Sequence, residues 1–355
     1  MVEILAVSDP HVPRDAFSAA LEGLSQKHRV RLIELEYERK STQPSASERS
    51  ISEYYGSPDQ LVEEIGGAEI LIVHRAPVTV EVMESGSNLR LIGCARGGPV
   101  NVDVVAATGR GIPVINAPGR NADAVADFTI GLILAEARNI ARAHMRLISE
   151  GTWRLDKQGR LVFRRGVELP GKTLGLIGFG NIGTRVASRA KGFGMRVIVY
   201  DPYVQKDIEE KFGVELVDLN TVMSESDFVS VHARATEKNV NLIGKDQIGL
   251  MKETSILINT ARASLIDYES LCEALRYHRI LGAALDVYPE EPVDPASPLL
   301  KLENVTLTPH LAGTTREVPL RGVRIVVEDV ERHLRGEPTE CVLNPEVLYP
   351  SPSGP

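Results

Sequence analysis

Cysteine and long apolar runs are both scarce in this chain, and each scarcity excludes a class of protein. Its 355 residues contain three cysteines, Cys94, Cys272 and Cys341, too few and too scattered for a disulfide framework or a CxxC metal knuckle. They read as small buried or half-buried thiols of a reducing compartment, so a cytoplasmic protein is expected. His11, His28, His74, His144, His232 and His278 have no metal-ligand spacing, and no metal is expected. The longest apolar candidate, 128–137, falls short of the roughly 18 residues of a membrane span and contains Glu136. No membrane contact is expected. The opening MVEILAVSDP carries neither a basic leader nor a cleavage site, and reads as a strand rather than a signal peptide. Positive charge is in deficit too, with 40 Lys and Arg against 48 Asp and Glu, which argues against nucleic acid as a partner. What remains, 43% hydrophobic and 25% charged, is the composition of a globular protein long enough for two domains.

The most informative stretch is 174–201. The apolar run Leu174 to Ile177 leads into Gly178-Phe179-Gly180-Asn181-Ile182-Gly183, a helical segment runs to about Gly192, and the β-type run 197–200 ends on Asp201. Strand, glycine turn, helix, strand and terminal acid follow the order a dinucleotide site needs. Gly178 permits the tight turn, Gly180 lets backbone approach a pyrophosphate, and Gly183 lets the helix pack close to the sheet. The helix start offers free N–H groups and its dipole to the phosphates. Asp201, 18 residues beyond Gly183, suits the adenosine ribose hydroxyls. It would repel a 2′-phosphate, so NAD is expected rather than NADP, with Lys206 the one nearby cation.

The rest of the chain alternates strand and helix. Short β-like runs are expected at 2–7, 30–35, 69–73, 90–94 and 112–116, with helices such as 16–28 and 58–67 between them. Residues 121–150 read as one long helix with Asn121 as N-cap. Its apolar residues are too many for one stripe, so a partner subunit is expected to cover part of it, making a homodimer. Further strands are expected at 228–232, 255–259, 282–286 and 305–308, with helices at 268–278 and 316–334. The sequence therefore predicts an α/β protein of two Rossmann-like domains. A doubly wound parallel-sheet NAD domain, 118–307, is inserted into a flavodoxin-like substrate domain made of 1–117 and 308–355. The Pro/Ser-rich tail 349–355 is expected to be loosely held.

Three downstream segments bring polar residues to strand ends, where open α/β sheets place ligands. They are 258–267 (INTARASLID), 282–292 (GAALDVYPEEP) and 306–313 (TLTPHLAG). With these segments, with 101–128 (NVDVVAATGRGIPVINAPGRNADAVADF) and with NPEVL, the chain resembles the D-isomer-specific 2-hydroxyacid dehydrogenases, the family of D-3-phosphoglycerate dehydrogenase and glycerate/hydroxypyruvate reductase. The resemblance implies an NAD-dependent (R)-2-hydroxyacid dehydrogenase. By it, Arg262 holds the substrate carboxylate and polarises the carbonyl, Glu291 hydrogen-bonds the catalytic histidine, and His310 is the acid/base. Asp286 lies beside the nicotinamide, and Thr260, Ala261, His232 and Gly313 line the cofactor. These residue types suit the chemistry. Imidazole titrates near working pH, a carboxylate on its other nitrogen fixes the tautomer, and a guanidinium forks onto a carboxylate.

The chain also departs from the family. The substrate loop commonly runs G-x-G-x-D-N-[IV]-D, whereas this chain has Ala95-Arg96-Gly97-Gly98-Pro99-Val100-Asn101-Val102-Asp103. Where phosphoglycerate dehydrogenases carry Arg-Ser, it has His74-Arg75, and the usual H-x-P is His232-Ala233-Arg234. Arg75, Arg96, Gly97 and Gly98 are expected to hold the substrate, which the extra arginines suggest is phosphorylated or polyhydroxylated. No carboxy-terminal regulatory domain is expected. The alternatives are an NAD(H)-sensing protein like the co-repressors of the same family, and a formate dehydrogenase-like enzyme, in which glutamine replaces the glutamate at position 291.

Overall fold

The computed structural model describes residues 1–36, 47–151 and 166–349, so 350–355 of the expected loose tail lie outside the described residues. The chain divides into two compact units, Met1–Asn121 with Thr315–Pro355, and Ala122–Thr314.

In the first unit the strands β1 (Glu3–Ser8), β2 (Arg29–Glu34), β3 (Ile70–Val73), β4 (Leu91–Cys94) and β5 (Val114–Ile115) pair in the order β2-β1-β3-β4-β5. All four pairings are parallel, and the order is that of flavodoxin-like sheets. Alternate residues feed opposite faces, as a two-residue period requires. Leu5, Val7, Leu71, Val73 and Ile92 enter one core, while Ile4, Ala6, Ile70, Ile72 and Leu91 enter the other. The helix Glu317–Leu334 seals the second face with Val323, Val326, Val327 and Val330. Beyond it, Asn344 ties the returning chain to β5. Its carbonyl oxygen accepts from the Val114 N–H at 2.8 Å and its amide donates to the Ile112 carbonyl at 2.9 Å. The helix expected over 16–28 is two short pieces, Arg14–Ala20 and Glu22–Ser25, that meet at Leu21, where φ is −87° and ψ 0°.

The second unit holds seven parallel strands, β6 (Thr173–Ile177), β7 (Arg196–Tyr200), β8 (Glu215–Leu216), β9 (Phe228–Val231), β10 (Ile256–Asn259), β11 (Gly282–Leu285) and β12 (Val305–Leu307). Their order, β12-β11-β10-β9-β6-β7-β8, is the doubly wound one, and its direction of winding reverses between β6 and β9. Helices Ala122–Ala137 and Asn181–Gly192 cover one face and Tyr268–Arg276 the other.

One expected element is corrected. The helix read over 121–150 is two helices, Ala122–Ala137 and Ile140–Glu150, broken at Asn139 with φ 56°. Asparagine enters that left-handed region more readily than most residues. The break is fixed by Glu136, whose buried carboxylate receives the Arg142 fork at 3.0 and 2.8 Å. Arg142 also donates to Asn139 Oδ1 at 3.2 and 3.1 Å, which closes the turn between the helices.

Candidate active site

The glycine turn sits at the carboxyl end of β6, at the point where the winding reverses. Gly178 adopts φ 96°, and a Cβ there would fall 2.5 Å from the Ala233 nitrogen, so only glycine fits. A Cβ at Gly183 would strike the Gly178 carbonyl oxygen, while Gly180 faces open space. Two glycines thus close the turn, and the third leaves backbone approachable. The helix that follows, Asn181–Gly192, begins on Gly180 and points its first N–H groups into that space. Asn181 is exposed there and Ile182 half-buried.

Asp201 follows β7 directly. Its Oδ2 accepts from the Phe179 N–H at 2.8 Å and its Oδ1 from the Tyr203 N–H at 2.9 Å, so the acid is anchored against the turn. After β9, the His232 N–H donates to the Ile177 carbonyl at 2.7 Å. The ring Nε2 lies 2.9 Å from Ser230 Oγ, but the buried Nδ1 has no hydrogen-bond partner among the described residues. Burial pushes the ring down to about 3, so it is neutral at working pH. An orphaned polar atom beside an open glycine turn and a free helix start fits a bound dinucleotide.

Three strand ends gather the expected catalytic groups within this unit. After β10, the buried Asn259 side chain accepts from the Ala261 N–H and donates to the Arg262 carbonyl, each at 3.0 Å. That ring fixes the loop and leaves the Arg262 side chain exposed, with Nη1 donating to the Ala261 carbonyl at 2.7 Å. Thr260 is buried, its hydroxyl 3.0 Å from Thr129 Oγ1.

After β11, the fully buried Asp286 accepts at Oδ1 from the Thr308 hydroxyl at 2.6 Å and the Leu311 N–H at 2.8 Å, and at Oδ2 from the Ala312 N–H at 2.8 Å. Asp286 therefore anchors the loop that carries His310 and leads into Gly313. This anchoring accounts for the grouping of 308–314 with the second unit, although the sequence assigns that segment to the first domain.

His310 Nδ1 lies 2.7 Å from Glu291 Oε2, and Glu291 Oε1 accepts from the Tyr288 N–H at 2.9 Å. Partial burial alone would raise the Glu291 carboxyl. The hydrogen bonds from His310 and the Tyr288 N–H, with the charges of His310 and Arg262, outweigh it and hold the group below the ordinary carboxylate range. A depressed carboxyl keeps its charge at neutral and mildly acidic pH, and its stabilising bonds fail only as pH falls through the lowered value. Glu291 is thus a standing anion at the Nδ1 edge of the His310 ring.

The other expected contacts lie in the first unit. Arg75 follows β3, and its guanidinium reaches the Glu53 carbonyl at 3.4 Å and His11 Nε2 at 3.2 Å. Arg96 follows β4, with Nη1 donating to the same Glu53 carbonyl at 2.9 Å and Nη2 paired with the Glu53 carboxylate. Gly97 and Gly98 are exposed in the next turn, where the Gly97 carbonyl accepts from Asn116 Nδ2 at 2.8 Å. Sequence reasoning missed Arg120, which follows β5. Burial and the charges of Arg96 and Arg75 outweigh the opposing pull of Cys94 and Asp9, and bring its guanidinium down to about 10. Its position two residues past Pro118, at a third strand end, was the available signal.

Residues 130–312 match the family described as D-isomer specific 2-hydroxyacid dehydrogenase, NAD binding domain. The chain is 42% identical over 296 residues to a D-3-phosphoglycerate dehydrogenase of Archaeoglobus fulgidus, covering 83% of this chain and 55% of that protein. It thus spans about half the length of that relative. It is 36% identical over 337 residues to a glyoxylate reductase of Aeropyrum pernix, covering 95% of this chain and 96% of the relative. Among solved structures, the TT0316 protein of Thermus thermophilus superposes with a TM-score of 0.72 at 31% identity, covering 96% of this chain and 99% of that one.

Proposed function

The chain belongs to the D-isomer specific 2-hydroxyacid dehydrogenase family, and on that premise we propose that it interconverts a small (R)-2-hydroxy acid and its 2-oxo acid with NAD. The observation that carries this reading is the His310–Glu291 pair at 2.7 Å, in the same unit as the open glycine turn. The nicotinamide, when bound, accepts or supplies the hydride. Gly178, Gly180, Asn181, Ile182 and Gly183 cradle the pyrophosphate, Asp201 takes the ribose hydroxyls, and Thr260, Ala261, His232, Asp286 and Gly313 line the nicotinamide side. In reduction, His310 Nε2 gives a proton to the carbonyl oxygen, and in oxidation it takes one back. Arg262 forks onto the substrate carboxylate and polarises the carbonyl. Arg75, Arg96, Gly97 and Gly98 hold the remainder of the acid, which is phosphorylated or polyhydroxylated.

An NADH-oxidation screen across glyoxylate, hydroxypyruvate and 3-phosphohydroxypyruvate tests the reading. Turnover is expected with at least one of them, and NADH should outperform NADPH by ~10-fold or more in kcat/KM, equivalent to about 1.4 kcal/mol. Binding of NADH without turnover of any 2-oxo acid would favour a sensor instead.

Glu291→Gln gives a second check. The variant has no carboxylate to fix the His310 tautomer or to protonate, so kcat/KM for 2-oxo acid reduction should fall about 10²-fold and the acidic limb set by the depressed Glu291 carboxyl should disappear. A variant with the parent's kcat/KM and acidic limb would remove Glu291 from the mechanism.

We also propose a homodimer. The helix Ile140–Glu150 buries none of its residues within the chain, and it exposes Ile140, Met145, Leu147 and Ile148. Such a stripe has the apolar chemistry of a contact with a second copy. Sedimentation at micromolar concentration should give twice the 38.7 kDa of one chain. A cytoplasmic setting accords with three free thiols.

A further inference from the structure

The first unit places an arginine at the carboxyl end of each of three neighbouring strands, Arg75 after β3, Arg96 after β4 and Arg120 after β5. That edge is where parallel sheets receive ligands. Arg75 Nε and Arg96 Nη1 both donate to the Glu53 carbonyl, at 3.4 and 2.9 Å, so two guanidinium groups converge on one oxygen. The Arg120 stem lies against the same turn. A Cβ on Gly322 would sit 3.0 Å from Arg120 Cδ and would strike the carbonyl oxygen of Ala95, the residue before Arg96.

The charges around these three cations do not balance. The Arg96 side chain is only 12% exposed and is paired with the 61%-exposed carboxylate of Glu53. Glu53 itself holds a left-handed backbone, φ 51°, which costs a non-glycine residue energy. The Asp9 carboxylate is already committed to His74 Nδ1 at 2.9 Å and to the N–H groups of His11 and Arg75 at 2.8 and 3.1 Å. The Arg120 guanidinium makes no ion pair or hydrogen bond with any described residue. Among the described residues, three guanidinium groups stand against two carboxylates, the buried Asp9 and the strained, exposed Glu53, an excess of positive charge arranged for an anion from outside the chain.

We propose that Arg75, Arg96 and Arg120 form a seat for a phosphoryl dianion, and that Glu53 occupies it in the free protein as a displaceable latch. A phosphoryl group offers three oxygens and two charges to three guanidinium forks, whereas a carboxylate leaves at least one fork unmatched. On binding, the phosphoryl oxygens replace the Glu53 carboxylate on Arg96 and give Arg120 an anionic partner. The dianion is either an ester on the substrate or free phosphate acting as an inhibitor. Only the ester source rests on the dehydrogenase reading, since the seat itself does not require it.

The test titrates inorganic phosphate into the whole protein by calorimetry, against sodium chloride at equal ionic strength. The parent should bind phosphate saturably. Arg120→Gln should weaken binding ~10-fold or more, the loss of one charge-assisted contact. Glu53→Gln, an exposed change that leaves the core untouched, should tighten it several-fold. Phosphate heats indistinguishable from chloride in the parent, or unchanged affinity in both variants, would overturn the proposal. Kinetics then identify the source. If the KM for 3-phosphohydroxypyruvate rises ~10-fold more than that for glyoxylate in Arg120→Gln, the ester occupies the seat. If the two rise equally while phosphate still inhibits the parent, free phosphate is the ligand. Phosphate binding with no turnover of any 2-oxo acid would sustain the seat and overturn the dehydrogenase reading.

Discussion

Replacing His310 by asparagine should lower kcat/KM for 2-oxo acid reduction by about 10²–10⁴-fold, the usual worth of a positioned general acid. Asparagine is the informative choice because His310 stands at φ 53°, a region it tolerates better than most residues. Alanine would add backbone strain at the same position and confuse a chemical loss with a misplaced loop. The neighbouring bonds should persist, since Asp286 anchors the loop through the N–H groups of Leu311 and Ala312 and not through the His310 ring. NADH affinity, followed by fluorescence titration, should therefore stay within a few-fold of the parent while turnover collapses. Retained turnover would take proton transfer away from His310. Loss of NADH binding together with activity would instead mean that the loop had moved.

The reading from sequence succeeded where one residue type answers to one local demand. The glycine turn was legible because a tight turn, an open approach and a close helix–strand contact each exclude a side chain, and the three demands fall on Gly178, Gly180 and Gly183. The parallel strands were legible because short apolar runs such as Ile70–Val73 and Ile256-Leu257-Ile258 are buried on both faces. The family resemblance named Arg262, Glu291 and His310, and the fold brings Glu291 against His310.

What sequence missed depends on contacts distant along the chain or on cooperation between neighbours. Nothing local in Ala137-Arg138-Asn139-Ile140 forbids a helix. The break there needs Glu136 buried, and that carboxylate also takes the Thr306 hydroxyl, 170 residues away. Arg96 was readable as an oddity in a glycine-rich turn. Its pairing with Glu53, 43 residues earlier, was not, nor was the convergence of Arg75 on the same oxygen. Arg120 is unremarkable in PGRN until the sheet order sets β5 beside β4. The two-residue strand β8 is too short for a period to show.

Arg262→Lys should cost about 10²-fold in kcat/KM for the 2-oxo acid, and Arg262→Gln up to ~10⁴-fold. Two charge-assisted hydrogen bonds to a carboxylate are worth roughly 1.5–3 kcal/mol each, and every 1.4 kcal/mol is tenfold. Lysine keeps the charge but not the planar fork, so it holds the carboxylate without fixing which face of the carbonyl meets the hydride. The loop should tolerate both changes, because the Asn259 side chain grips the backbone of Ala261 and Arg262 and not the guanidinium. The split between constants is the discriminating readout. If Arg262 only binds the carboxylate, KM rises and kcat holds. If it also polarises the carbonyl, kcat falls with it, because that interaction strengthens as charge develops on the oxygen. Removing a cation whose charge helps to depress Glu291 should also move that carboxyl back toward its ordinary range, so the acidic limb of the pH profile should shift upward in Arg262→Gln. A lysine variant with the parent's kcat/KM would show that no fork is made, and the arginine would then serve the loop alone.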